Sequence, residues 1–287
     1  MNVPARTIGR ETSLTGIGLH SGRHVRALLR PASPGAGVWF VRTDAPGSPR
    51  LSLKDLSHTG PAFRTTLSNE QTEVYTIEHL LSALCGLGIW DLEVLVDGPE
   101  LPGLDGSALP FAEALRAAGI VENTARGIEA LVVEEAECLM QESARITAEP
   151  WADGLKVSYL LDYPGEPLAR GRLELVVDPE SYLREIAPAR TFCLYREAQA
   201  LLAAGFGKGA GTHNTLVLQQ GRVLEQTLRF PDEPVRHKIS DLLGDLYLLG
   251  RPLRGRVCGE RSGHRLNRLL VRQLLARCGP PGNGKAP

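Results

Sequence analysis

The sequence predicts an α+β protein, in which strands and helices mix without regular βαβ alternation. Short runs that alternate apolar and polar residues, separated by Gly and Pro, fill the first 60 residues and recur after residue 130. Two segments, 76–88 and 234–249, carry apolar residues at helical spacing. With 43% hydrophobic and 23% charged residues among 287, the chain is a globular protein large enough for one large or two ordinary domains.

The first half of the chain contains predicted strands, turns and two helices. Thr76 is a suitable N-cap for a helix that ends at Gly86 or Gly88. Residues 92–96 then alternate as a strand. Residues 109–119 form a second predicted helix, which stops at a glycine.

The second half is predicted to follow a polar break at residues 123–127. Residues 196–204 are helical in pattern, and four glycines make 205–211 a loop. The end of the chain, 277–287, is rich in Gly and Pro and is predicted to be disordered. No internal repeat is evident. Alternating residues predict strands at 130–133, 144–148, 155–161, 172–177 and 215–218.

The helix predicted over 234–249 is the best defined. Acidic residues precede it and Gly250 ends it, as expected for helix termini. Its apolar residues form one stripe, which is typical of a face packed on a core. His237 and Asp241 lie one turn apart, opposite that stripe, and Asp245 lies a further turn along. The helix therefore presents a row of titratable groups.

Charge and composition exclude several functional classes. The net charge of −1 gives no indication of nucleic-acid binding. No apolar run reaches the length of a membrane span, and the N-terminus lacks the apolar core of a signal peptide. The five cysteines include no CxxC pair, so neither a disulfide framework nor a cysteine zinc site is indicated. We expect a soluble cytoplasmic protein without a membrane span, with peripheral membrane contact left open.

Positive charge is concentrated at the end of the chain. Residues 251–287 hold nine Lys or Arg and one acid. A solvated helix face is the simpler interpretation of this segment. Attraction for an anionic ligand or a membrane surface is the alternative.

Three of the seven histidines lie in sequence contexts that could support catalysis. His79 follows Glu78 in the first turn of a predicted helix, and His237 precedes Asp241 by four residues. His264 follows a glycine at the start of a basic amphipathic helix. Two His and one carboxylate form a typical catalytic zinc site, and a Glu beside it would serve as a general base.

The spacing alone leaves other interpretations open. A His and an Asp four apart on a helix are more often a surface ion pair. A Glu–His pair at a helix start can be explained by the helix dipole. Two His and one carboxylate also suit the Fe(II) of a non-haem oxygenase. The usual metalloprotease pattern, HExxH, is absent.

Taken together, six segments resemble UDP-3-O-acyl-N-acetylglucosamine deacetylase, the zinc enzyme of the committed step of lipid A synthesis. The resemblance covers about residues 5–275. It implies two α+β domains of similar topology (1–125 and 126–276), each a β-sheet packed against α-helices, with the active site at their interface. The segments are TGIGLHSG (15–22), TIEHLLSALCGLGI (76–89), DGPELPGLDGSALPF (97–111), ARTF (189–192), LRFPDEPVRHKISDLLGDLYLLG (228–250) and SGHRLN (262–267).

The resemblance assigns roles to individual positions. The matching metal site holds one Zn²⁺ per chain, with Fe²⁺ as an alternative in the cell. The other matching positions serve proton transfer, oxyanion support and substrate binding. The metal ligands are His79, His237 and Asp241; the general base is Glu78; the cation or general acid is His264, with Asp245 as its partner; Thr191 supports the oxyanion; Lys238 and Phe192 bind substrate.

The implied reaction is hydrolysis of the 2-acetamido group of a small molecule, a UDP-linked acylated amino sugar, by a monomer. The acyl chain is expected in an insert at 191–215. Arg261, Arg265 and Arg268 lie near the SGH segment, and we expect part of this basic segment to face the diphosphate. Departures from the family pattern, at Trp90, 163–165 and His213, leave the acyl-chain length open.

Two alternative functions remain. One is a zinc hydrolase that acts on a related acylated nucleotide sugar. The other is a non-catalytic binding relative, against which the intact Glu78 argues because binding alone requires no base. Changes at His20, His24 or His58 are expected to matter much less than changes at the assigned positions.

Overall fold

Two β-sheets packed against helices confirm the predicted α+β class. The computed structural model describes residues 2–56 and 61–278, apart from the side chains of 124–126 and 278. The described helices are α1 (Glu78–Leu87), α2 (Leu109–Ala117), α3 (Pro179–Ser181, continued by a π-turn to Ile186), α4 (Tyr195–Ala203), α5 (Glu233–Leu246) and α6 (His264–Cys278).

The described strands fall into two groups along the chain, those before α2 and those after it. Those before α2 are β1 (Asn2–Ile8), β2 (Thr12–Ile17), β3 (His24–Pro31), β4 (Val38–Arg42), β5 (Arg50–Ser52), β6 (Thr66–Ser68), β7 (Glu73–Tyr75) and β8 (Leu92–Val96). Those after it are β9 (Ile120–Glu129), β10 (Leu131–Val132), β11 (Glu137–Gln141), β12 (Ala144–Glu149), β13 (Leu155–Asp162), β14 (Arg170–Val176), β15 (Phe192–Leu194), β16 (Leu216–Gln219), β17 (Arg222–Val223) and β18 (Leu253–Glu260).

The two main sheets have the same topology. The first has the order β2-β3-β8-β4-β5, and the second has the order β11-β12-β18-β13-β14, with β10 added beside β18. In each sheet the last strand along the chain inserts between the second and the third, and pairs in parallel with the third. A helix precedes that strand and another follows it, so α1 corresponds to α5, and α2 to α6.

The equivalent helices also share a short sequence repeat. HLLSALCG (79–86) and HKISDLLG (237–244) have His, Ser, Leu and Gly at the same four positions. This repeat is too short and too diverged to stand out without the topology. It places a histidine at the same point of each helix.

The two halves meet where α1 packs directly against α5. Almost all of α5 is buried, including the face that carries His237 and Asp241. The close approach depends on glycine, because a Cβ at Gly244 would overlap the backbone carbonyl of Glu78. A Cβ at Gly86 would likewise overlap the ring of Tyr182. The interface therefore brings the titratable row of α5 against the start of α1.

Thr76 is not the N-cap of α1, contrary to the prediction. The N-cap is Ile77, without a side-chain cap, and Thr76 has a φ of 56°. Its hydroxyl donates to Glu100 Oε1 at 2.9 Å. The same carboxylate accepts the backbone N–H groups of His20 and Ser21, so the Thr76 side chain is directed to this buried anion, one residue before the helix cap.

The polar segment 123–127 is part of strand β9 rather than a break. This strand pairs with β1 in antiparallel register, with a shift between Pro4 and Ala5. Backbone hydrogen bonds do not depend on side-chain polarity, so polar residues are tolerated on a strand with an exposed face. The domain boundary at 125 and 126 therefore stays a prediction.

Strand β18 was not predicted from the sequence, and its residue pattern explains why. Its residues alternate between buried and half-buried positions, but two of the buried ones are Gly255 and Gly259. Arginine fills half of the other face, so the hydrophobic alternation is hidden. The basic segment is thus a central strand followed by α6, and Arg277, placed in the predicted tail, belongs to that helix. The rest of that prediction, 279–287, lies outside the described residues.

Most other predicted elements are confirmed within a few residues. The helix predicted over 234–249 ends at Leu246 and continues as a 3₁₀ turn to Leu249, before Gly250 at a φ of 68°. Among residues 2–56 and 61–278, no helix has the length and apolar character needed to cross a membrane.

Candidate metal centre and active site

Three side chains from the two halves converge on one point. His79 comes from α1, whereas His237 and Asp241 come from adjacent turns of α5. One ligand atom from each lies within 4.8 Å of the others, and all three residues are buried. A surface ion pair is therefore the wrong interpretation of the His237–Asp241 spacing. Two imidazoles and one carboxylate are the donors of a catalytic zinc site.

Hydrogen bonding and burial prepare the two imidazoles as ligands. His237 Nδ1 lies 3.0 Å from the carbonyl oxygen of Ala189, which orients the ring with Nε2 toward Asp241 at 3.2 Å. The rings of His79 and His237 are 5.2 Å apart and nearly perpendicular. Burial, reinforced by His237, lowers the pKa of His79 to about 3. His79 is therefore neutral, as a metal ligand must be.

Asp241 is held ionised by a neighbouring cation. Lys238 Nζ donates to Asp241 Oδ2 at 2.7 Å. Burial alone would raise the pKa of Asp241, but Lys238, His237 and His264 together outweigh it and the pKa falls well below its usual range. Lys238 thus lies against a metal-ligand candidate.

Glu78 lies beside the cluster as the first residue of α1. Its Oε2 accepts the backbone N–H of Thr65 at 3.0 Å. Burial raises the pKa of Glu78 to about 7, against the opposing effect of His264. The carboxyl group can therefore gain and lose a proton near neutral pH.

His264 and Asp245 form a buried charged pair. His264 Nδ1 donates to Asp245 Oδ2 at 2.8 Å. Asp245 also accepts from the Thr65 hydroxyl at 2.7 Å and from Asn267 Nδ2 at 2.9 Å. Burial lowers the pKa of His264, but Asp245 and Asp241 outweigh it and raise the pKa to about 9. His264 is therefore a cation at neutral pH.

A cavity of about 230 Å³ is lined by Glu78, His79, His237, Asp241 and His264. Thr191 reaches it from the start of β15, where its N–H donates to the Gly106 carbonyl at 2.8 Å. The preceding Arg190 is ion-paired with Glu233 at the start of α5, so Thr191 is held close to the metal helix. The rest of the lining is mainly apolar and includes Cys193, Ala198, Leu201, Leu202 and Val217.

The remaining predicted residues lie at different distances from the centre. Phe192 lines the cavity, with its ring 6.4 Å from that of His237. Arg261 is exposed, does not line this cavity, and has Asp162 Oδ2 at 3.7 Å. Arg268 is buried and donates to the carbonyl of Arg64 at 3.0 Å, which directs it into the protein.

Sequence reasoning missed several residues of the site. His20, expected to matter little, lines the cavity and packs against Phe63 at 5.0 Å. Asn267 could have been found from its position three residues after His264 on one helix. Thr65 gave no such signal, because it acts through its backbone N–H and a single hydroxyl. His58 lies outside the described residues.

Comparison with known proteins identifies the family. The family model for UDP-3-O-acyl N-acetylglycosamine deacetylase (LpxC) matches residues 5–276. The chain is 42% identical over 271 residues to the UDP-3-O-acyl-N-acetylglucosamine deacetylase of Acidithiobacillus ferrooxidans, covering 92% of this chain and 87% of that protein. For the enzyme of the same name from Myxococcus xanthus, the identity is 39% over 275 residues, with 94% and 86% covered. The chain therefore belongs to the UDP-3-O-acyl-N-acetylglucosamine deacetylase family.

Proposed function

We propose that the chain catalyses metal-dependent hydrolysis of the 2-acetamido group of UDP-3-O-acyl-N-acetylglucosamine. The products are acetate and UDP-3-O-acyl-glucosamine, and the reaction is the committed step of lipid A biosynthesis. One observation carries the proposal: a His79–His237–Asp241 cluster, flanked by Glu78 and His264, on a cavity whose remaining lining is mainly apolar. That polarity suits a substrate with a polar reacting group and a long acyl chain.

The donor set supports Zn²⁺ as the bound ion, one per chain. Two imidazoles and one carboxylate suit tetrahedral zinc with a fourth position left open. The same donors also suit Fe²⁺, so iron is included in the proposal as an alternative occupant in the cell. When bound, such an ion polarises a carbonyl group and lowers the pKa of water.

Glu78 is proposed as the general base. Its carboxylate takes a proton from the attacking water, and the Thr65 N–H fixes the direction of the other oxygen. A pKa of about 7 makes it a stronger base than an exposed glutamate while leaving a large ionised fraction at neutral pH.

His264 is proposed to act as the cation and general acid. Its charge stabilises the oxygen that becomes negative in the tetrahedral intermediate, and its proton then passes to the leaving amine. Asp245 holds that charge in place through His264 Nδ1, which leaves Nε2 for the substrate. The hydroxyl of Thr191, on the same cavity, is proposed to support the oxyanion.

The insert at 191–215 is proposed to hold the acyl chain. Leu201 and Leu202 on α4 contribute to the apolar lining of the cavity. Phe192 and Lys238 are proposed to bind substrate, and Arg261 to contact the diphosphate from the exposed edge. The exposed position of Arg261 supports a peripheral role rather than one at the reacting bond.

The proposal includes a division into two domains near residues 125 and 126, which the repeated strand order supports. It also includes a monomeric, cytoplasmic enzyme. The monomer is supported because one chain supplies the ligand cluster, Glu78 and His264. Fractionation of cells and size-exclusion chromatography would test location and oligomeric state.

The decisive experiment measures acetate release from UDP-3-O-acyl-N-acetylglucosamine together with metal content on one sample. We expect about one metal ion per chain, loss of turnover on chelation and recovery on adding Zn²⁺. Bound metal without acetate release would contradict this substrate and favour a related acyl sugar or a binding role. The absence of both bound metal and turnover would contradict the metal site itself.

A further inference from the structure

Two buried serines touch where the metal-ligating helices cross. Ser82 on α1 and Ser240 on α5 have relative exposures of 0% and 1%, and their Oγ atoms are 2.9 Å apart. The hydroxyl of Tyr182, from the π-turn, lies 3.0 Å from Ser82 Oγ. The three hydroxyls form a hydrogen-bonded chain outside the cavity, since none of them lines it.

The two serines are equivalent residues of the repeated helices. Each follows its histidine by three residues, in HLLS (79–82) and in HKIS (237–240). The Ser82–Ser240 contact therefore joins equivalent points of α1 and α5, about one turn from each imidazole.

A hydrogen bond at this point restrains how the helices lie against each other. Serine is small enough to allow the close approach, which Gly244 also permits beside Glu78. A sliding or rolling movement of α1 against α5 would break the bond and leave buried hydroxyls unpaired, which disfavours the moved arrangement. Metal–nitrogen and metal–oxygen bonds are about 2.0–2.2 Å long, so the ligand set tolerates little such movement.

We propose that Ser82 and Ser240 are positioning residues for the metal site. Their hydrogen bond holds His79 on one helix at the separation from His237 and Asp241 that a single ion requires. This inference rests on the proposed function only in taking the cluster as a metal site. Tyr182 bonds to Ser82, and its hydroxyl also interacts with Ser240, so it supports the same junction from the π-turn.

The test measures Zn²⁺ affinity and the stability of the metal-free protein separately. The full chain is stripped of metal, its Zn²⁺ dissociation constant is obtained by competition with a chromophoric chelator, and its thermal midpoint is measured without metal. The variants are Ser82→Ala, Ser240→Ala and the double variant. Tyr182→Phe keeps the direct Ser82–Ser240 bond, and Ser158→Ala, which removes a fully buried hydroxyl on β13 that has no hydrogen-bond partner among the described residues, controls for the loss of a hydroxyl alone.

We expect each alanine variant to weaken zinc binding about tenfold, the lower end of the effect of losing a group that orients a metal ligand. The double variant should be no more than slightly weaker than either single one, because both remove the same bond. Ser240→Cys, which keeps a weak hydrogen-bonding group, should lie between wild type and Ser240→Ala. Tyr182→Phe and Ser158→Ala should leave the dissociation constant within about twofold, whatever their thermal midpoints.

Two results would overturn the inference. One is a lower thermal midpoint for the serine variants with an unchanged dissociation constant, which would make the hydroxyls structural only. The other is an equal loss of affinity in Tyr182→Phe, which would mean that affinity follows general stability. A wild-type chain that binds no zinc is a separate failure, because it overturns the proposed metal site and this inference with it.

Discussion

At the scale of single residues, one buried environment gives neighbouring groups different protonation states. Burial raises the pKa of Glu78 to about 7 and lowers that of His79 to about 3. Asp245 and Asp241 reverse the effect of burial for His264, whose pKa rises to about 9. The result is a base, a neutral ligand and a cation close together. Such a spread of pKa values is typical of acid–base sites.

Glu78→Gln tests the role of the base. The amide keeps an oxygen for the Thr65 N–H but has no useful basicity, so kcat should fall about 10²–10⁴-fold. Metal content should stay at one ion per chain, because Glu78 is not a ligand in the proposal. Acetate release and elemental analysis measure the two quantities. Glu73→Gln, which changes an exposed carboxyl on β7, is the control. Activity of Glu78→Gln within a few-fold of wild type would contradict the role of Glu78 as the base.

Asp245→Asn tests the charge on His264. The substitution removes the main favourable charge beside the imidazole, so the pKa of His264 falls and less of the cation is present at neutral pH. We expect kcat to fall at least tenfold, within the range that a general acid contributes, with little change in KM or metal content. Steady-state kinetics near pH 7 measure this. A wild-type kcat would contradict the role, and His264→Gln sets the largest loss expected.

The metal ligands and acid–base residues could be predicted from the sequence better than the residues that orient them. His79, His237, Asp241, Glu78 and His264 stand in recognisable local patterns. Thr65, in contrast, contributes a backbone N–H and a hydroxyl from a segment without periodicity. Its role depends on where the chain places it in space, which local spacing does not encode.

At the scale of elements, glycine sets the distance between the metal helices. Gly244 faces the backbone of Glu78 so closely that a methyl group has no room. The equivalent Gly86 faces the ring of Tyr182. Both ends of α1 are therefore packed against neighbours that a Cβ would displace.

Gly244→Ala should destabilise the protein despite the better helix propensity of alanine. Overpacking of a buried contact costs about 1–3 kcal/mol, more than the roughly 1 kcal/mol that alanine gains in a helix. Urea denaturation of the metal-free protein measures the free energy of unfolding. Gly171→Ala is the control, because its Cβ would meet only Val235 at an ordinary 3.7 Å. Equal stability of wild type and Gly244→Ala would contradict the tight α1–α5 contact.

Elements were predictable where hydrophobic periodicity was complete. The apolar stripe of α5 predicted that helix nearly to its ends. β18 was hidden because glycines occupy its buried positions, although it is central to the second sheet. The prediction of Thr76 as the N-cap of α1 was wrong, because the N-cap is Ile77 and the Thr76 hydroxyl donates instead to Glu100, 24 residues away in sequence. Long-range contacts decide such cases.

At the scale of the whole molecule, the site depends on a repeated fold. Each half supplies one helix from the same place in its topology, and neither helix alone carries two imidazoles and a carboxylate. The repeat survives clearly in strand order but in only four shared residues of HLLSALCG and HKISDLLG. Topology is therefore the stronger evidence of the relation, and sequence inspection does not reveal it.

Because the ligands come from both halves, metal binding should stabilise the contact between them. An ion that binds only the folded state adds about 2.7 kcal/mol at a free concentration one hundred times its dissociation constant. The thermal midpoint should therefore fall on chelation and recover with Zn²⁺. His237→Ala removes one ligand and should abolish most of this difference, while Lys54→Ala, an exposed cation on another element, should preserve it. Scanning calorimetry with and without metal measures the effect. Equal midpoints for loaded and stripped wild-type protein would mean that the two halves pair without help from the ion, and that this site does not couple metal binding to folding.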